Sequence, residues 1–170
     1  MRGKVLILDT SVLCCWLKVP GKDTAGSRHD LWDFQRIDGE IKRTDRGHRT
    51  FILPLAAIIE TGNHISQARG HNIYEIATKF AQCLRDCAEA TVPWAAVTEQ
   101  AELWDSEKLK DLSNKWPDLA IRGVSLGDAT IIDIAEYYAN AGCSVEILTG
   151  DAGLKAYEPV HPLSIPRRRS

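Results

Sequence analysis

The chain has 170 residues, 44% hydrophobic and 26% charged, with a formal net charge of −2. That length suits one domain with one sizeable core, and the composition excludes a disordered chain. A charge so near neutral excludes nucleic-acid recognition by bulk attraction, so such a partner needs a local basic patch.

The first apolar run is too short for a signal peptide, and no run reaches membrane-spanning length. The expectation is a cytoplasmic protein with no membrane partner. The five cysteines agree with that compartment. Their number is odd, Cys14 and Cys15 are adjacent, and Cys83 and Cys87 are one helical turn apart, which is no disulfide framework. They read as small buried hydrophobes. The spacing of His64, His71, Cys83 and Cys87 matches no familiar zinc pattern.

Lys4 to Leu8 is a continuous apolar run closed by Asp9, Thr10 and Ser11. Such a run predicts a buried strand of a parallel sheet, whose carboxyl end is where open α/β sheets place ligands. Ser11 to Leu17 reads as a short helix with Thr10 or Ser11 as cap. Residues 18–50 change character and form a polar, glycine-containing insertion. Within it, Leu31, Trp32, Phe34 and Ile37 suggest an amphipathic helix near 29–37, and residues 36–42 alternatively a turn between short strands.

Thr50 to Leu53 predicts a second strand, followed by a helix from Pro54 to Arg69 with Gly70 as its stop. A second helix runs from Ile73 to Glu89, with Ile76, Phe80, Cys83 and Cys87 at helical spacing. Residues 90–92 predict a third strand, and residues 98–112 a helix capped by Thr98. Gly127 to Ala141 is the clearest helix, Val145 to Thr149 a fourth strand, and Ala152 to Tyr157 a short helix. Val160 to Ile165 is a candidate edge strand. Strands alternating with helices predict an α/β fold: a parallel sheet of four to five strands flanked by helices in three layers.

Four acids stand out. Asp9 and Asp151 follow apolar strands. Glu60 interrupts an apolar helix, with Ala56, Ile59 and Asn63 on its face, and Asp128 heads the best helix on the stripe of Ile132, Ala135 and Ala139. Singly, Asp9, Asp128 and Asp151 have ordinary roles as caps, turn residues or first-turn acids, and Glu60 sits at the rim of the core or faces a cleft. Together they share one geometry, at strand ends and on helices beside them. Clustered carboxylates repel, and a cation relieves that repulsion. All-oxygen ligands point to Mg²⁺ or Mn²⁺, and such a site can activate water and shield a phosphodiester.

The segments Ile7-Leu8-Asp9-Thr10-Ser11-Val12-Leu13, Ile59-Glu60-Thr61-Gly62, Leu126-Gly127-Asp128-Ala129-Thr130-Ile131 and Ile147-Leu148-Thr149-Gly150-Asp151 carry a resemblance. In that order they resemble the PIN-domain ribonucleases, above all the toxin subunits of bacterial toxin–antitoxin pairs. The resemblance implies a PIN-like sheet and Mg²⁺- or Mn²⁺-dependent endonucleolytic cleavage of RNA at Asp9, Glu60, Asp128 and Asp151. It places Ser11 and Thr149 at the hydroxyl positions beside the metal, and it implies an antitoxin partner and homodimer contacts.

The long segments 18–50 and 93–125 depart from the smaller toxins. A haloacid-dehalogenase-like phosphatase also opens with a strand and Asp, but it needs a second Asp where Ser11 stands. A non-catalytic PIN-like module binding RNA or protein is the other alternative. For RNA contact the local basic cluster is Lys42, Arg43, Arg46 and Arg49, next to His48, with Arg167, Arg168 and Arg169 at the end of the chain. Trp32 and Trp116, in polar surroundings, are candidates for a partner surface or base stacking.

Overall fold

The computed structural model describes residues 3–43, 49–95, 100–101 and 104–160. Its centre is β1 (Lys4–Leu8), flanked by β4 (Arg49–Ile52) on one side and β5 (Ser144–Leu148) on the other, both parallel to it. Leu6 and Leu8 face one core and Val5 and Ile7 the other, the period of two that a strand buried on both faces requires. The first core is closed by α1 (Thr10–Leu17), α3 (Leu55–Gln67) and α4 (Ile73–Ala88). The second is closed by α5 (Ser106–Ile121), α6 (Leu126–Asn140) and the short α7 (Ala152–Lys155). The fold is therefore α/β with helices on both faces of a parallel sheet.

The sheet has three strands among the described residues, fewer than the four to five expected. The expected strand at 90–92 is reduced to a single bridge. Phe51 donates to Pro93 O at 2.8 Å, and Ala95 donates to Phe51 O at 2.9 Å. Pro93 has no N–H to extend the ladder, so pairing stops there. The expected strand at 160–165 lies outside the described residues except for Val160.

The polar insertion also differs from its expected form. It makes an antiparallel hairpin, β2 (Thr24–Ser27) and β3 (Asp30–Asp33), and only then a helix, α2 (Phe34–Lys42). Asp33 caps that helix by accepting from Arg36 N at 2.8 Å, which fixes its start five residues later than expected from the apolar spacing. Trp32 is 3% exposed in the first core, with the Arg36 guanidinium 3.6 Å from its ring centroid, so it is no open stacking platform. Trp116 is half-buried against the second core and donates to Val124 O at 3.3 Å. α5 also starts later than expected, capped by Asp105, while Thr98 lies outside the described residues. Cys83 and Cys87 are buried in the first core, in keeping with a packing role.

Candidate active site at the carboxyl end of the sheet

β1 ends at Leu8, and Asp9 turns the chain into α1. Asp9 is 7% exposed, and its N–H bonds Leu148 O at 3.0 Å, so the turn is sewn to the end of β5. Neither Thr10 nor Ser11 is the cap of α1. Asp9 is, accepting weakly from Ser11 N at 3.4 Å. The same oxygen, Oδ2, accepts from Ser11 Oγ at 2.8 Å and from Thr149 Oγ1 at 2.8 Å.

Those two hydroxyls also accept. Gly150 N donates to Ser11 Oγ at 3.0 Å, and Asp151 N donates to Thr149 Oγ1 at 2.9 Å. Ser11 and Thr149 thereby bind the ends of β1 and β5 into one network. Buried hydroxyls that both donate and accept fix the orientation of the carboxylate between them.

Glu60 reaches in from α3, where its Oε2 accepts from Thr10 Oγ1 at 2.9 Å. Its Oε1 lies against the first turn of α6. A Cβ on Gly127 would fall 2.7 Å from that oxygen, so the absence of a side chain there leaves Glu60 room beside Asp128. Asp128 forms a capping box with Ser125. Its Oδ2 accepts from Ser125 Oγ at 2.8 Å and Ser125 N at 3.3 Å. Asp151 caps α7, its Oδ1 accepting from Gly153 N at 2.7 Å and Leu154 N at 3.4 Å.

All four acids thus share a pattern. One carboxylate oxygen is committed to the scaffold, and the other accepts no hydrogen bond from the described residues: Asp9 Oδ1, Glu60 Oε1, Asp128 Oδ1 and Asp151 Oδ2. The capping roles of Asp9, Asp128 and Asp151 each use one oxygen, while Glu60 spends its one on the Thr10 hydroxyl. Electrostatics link three of the four. The Asp128 carboxyl is pushed above the usual range, first by burial and then by the charges of Asp9 and Asp151, against the lowering hydrogen bonds from Ser125.

Among the described residues, no three acids, histidines or cysteines stand close enough to clasp one ion directly. Mg²⁺ characteristically keeps several waters and takes only one or two carboxylates, so a spread set of free carboxylate oxygens fits such an ion with water between. It does not fit a soft metal, which needs sulfur or imidazole.

The expected RNA-binding cations stand elsewhere. Arg49 opens β4 at the amino end of the sheet, its side chain 10% exposed and its Nη2 2.6 Å from Glu40 Oε2. Lys42 is 2.6 Å from Asp38, and Arg43 is 3.6 Å from Glu40. Arg46, His48 and Arg167 to Arg169 lie outside the described residues.

Sequence reasoning missed Thr10, Ser125 and the hairpin. Ser125 was legible in principle, since Ser-x-x-Asp before an apolar run is a capping-box signature. No local signal ties Thr10 to a partner 50 residues away.

Of the four acids only Asp151 lines a cavity of about 290 Å³, together with Ser27, Asp30, Thr149 and Lys155 among others. Another, of about 300 Å³, opens between Trp16, Phe34, Lys79 and Trp94, and none of the four acids lines it. Comparison with protein-family models, curated proteins and solved structures found no match to the chain.

Proposed function

We propose that the chain is a metal-dependent endoribonuclease with a PIN-like site, hydrolysing RNA phosphodiester bonds at the carboxyl end of the sheet. The observation that carries this reading is the shared pattern of the acids. Four carboxylates, just after β1, on α3, on α6 and just after β5, each keep one oxygen that accepts no hydrogen bond from the described residues, and the charges of Asp9 and Asp151 act on Asp128.

When bound, Mg²⁺ or Mn²⁺ supplies Lewis acidity that eases loss of a proton from water and shields phosphodiester charge. The protein's own groups do the rest. Ser11 and Thr149 hold Asp9 in one orientation. Thr10 holds Glu60, and Ser125 holds Asp128. Burial and its acidic neighbours hold the Asp128 carboxyl above its usual range.

The test is cleavage of single-stranded RNA by purified protein with Mn²⁺, Mg²⁺ or EDTA. Cleavage that needs the ion and disappears in Asp9→Asn supports the reading. RNA left intact under all three conditions overturns it. Within this reading, the motif resemblance favours a toxin subunit with an antitoxin partner and self-association. A small neighbouring reading frame for a DNA-binding fold, neutralising the activity on co-expression, is the corresponding check.

A further inference from the structure

We propose that Arg28, at the tip of the β2–β3 hairpin, binds a backbone phosphate of the RNA strand beside the cleavage site. This rests on the nuclease reading and assigns the strand contact within it.

The hairpin is built against the acids. Gly26 has φ +92°, a backbone conformation L side chains rarely adopt. A Cβ on Gly150 would fall 2.4 Å from Gly26 N and 2.7 Å from Ala25 Cβ. The hairpin backbone therefore lies directly on the loop that joins Thr149 to Asp151. Its base is anchored. Arg36 bonds Asp30 Oδ1 at 2.7 Å and Leu31 O at 2.8 Å, and Cys15 Sγ donates to Asp23 O at 3.1 Å. Ser27 pairs with Asp30, which leaves Arg28 and His29 as the two turn residues. Ser27 and Asp30 line the same cavity as Asp151, so the turn stands beside Asp151 on the rim of that cavity.

Charge decides the partner. An RNA strand is a polyanion, and the acids repel it, so a nearby cation must offset that repulsion. Lys155 lines the cavity but is committed to Glu158 Oε2 at 2.6 Å and Ile147 O at 2.9 Å. Arg36 is committed to Asp30, and Lys42, Arg43 and Arg49 are paired with acids elsewhere. Arg28 is exposed and takes part in no ion pair among the described residues. A guanidinium on a short turn with an anchored backbone offers phosphate a planar fork of donors.

The experiment measures kcat and KM for a single-stranded RNA with Mn²⁺ across a salt series. Arg28→Ala is expected to raise KM about tenfold at low salt, the value of one charge-assisted hydrogen bond, with kcat unchanged. The slope of log KM against log salt should fall by about 0.7, one phosphate contact on a single strand. Arg28→Lys should restore most of the slope, and Lys110→Ala on α5, which removes the same charge from an exposed Glu107 pair, should leave it unchanged. Wild type that cleaves RNA while Arg28→Ala keeps its KM and slope overturns the hairpin assignment and leaves the nuclease standing. Wild type that neither cleaves nor binds RNA overturns both.

Discussion

The two ends of the parallel sheet treat charge in opposite ways. At the amino end, acids meet cations: Lys4 with Glu146 at 2.5 Å, and the largely buried Arg49 with Glu40 at 2.6 Å. At the carboxyl end, Asp9, Asp128 and Asp151 meet hydroxyls and backbone N–H groups, and each keeps an oxygen free. The first arrangement neutralises charge where the chain only has to hold together. The second leaves like charges to act on one another, and Asp9 and Asp151 help hold the Asp128 carboxyl above its usual range.

Changes at the carboxyl end should cost activity first. Asp9→Asn keeps an acceptor for Ser11 and Thr149, so the fold should persist by circular dichroism. RNA cleavage should fall by more than about a hundredfold, the loss that follows removal of even a ligand's outer partner. Full cleavage by this variant removes the site from Asp9.

Changes at the amino end should cost stability alone. Glu40→Ala strips the partner from a guanidinium whose Nη1 already has no hydrogen bond. Loss of one member of a buried pair is worth about 3 kcal/mol, read as a lower denaturation midpoint, with kcat unchanged. Equal stability to wild type in urea breaks the contrast between the ends.

Asp128 sharpens it. Its folded pKa is raised, so the folded chain binds more protons than the unfolded one. The stability this group adds is present below its unfolded value, about 3.9, and lost as pH rises through the folded value. The metal-free protein should lose stability across that window, and Asp128→Asn should flatten the loss and raise Tm in EDTA at neutral pH. Mn²⁺ at a hundredfold excess over its Kd should add about 2.7 kcal/mol to wild type and less to the variant. Identical melting of wild type with EDTA and with Mn²⁺ speaks against an ion at the acids.

The smallest effect belongs to Thr149→Val, which keeps the volume and removes a donor to Asp9 and an acceptor for Asp151 N. About 1.5 kcal/mol of stability and a matching tenfold drop in cleavage are expected. Cleavage equal to wild type shows that the hydroxyl does not position Asp9.

The legible parts of the molecule were those with long local patterns. β1, β4 and β5 are apolar runs, and α6 carries a long apolar stripe, so their positions follow from sequence to within a residue or two. The hairpin was hidden because Leu31, Phe34 and Ile37 recur at helical spacing although Leu31 belongs to β3 and the other two to α2. The strand at 90–92 failed because an apolar run says nothing about whether its N–H groups find a partner. At the site, the four acids could be named from sequence. The split between committed and free oxygens could not, because it depends on hydroxyls that meet them across the fold.

The hydrogen bond from Thr149 to Asp9 joins residues 140 apart in the chain, and β1 sits between the strand that follows it early and the one that arrives last. Closing so long a loop comes late in folding. During synthesis, a nascent chain carries Asp9, Glu60 and Asp128 while still lacking Thr149 and Asp151. The acids can be brought together only once β5 has left the ribosome and docked. Under the proposed function, this order of assembly keeps the site incomplete while the chain is still attached to the message that encodes it.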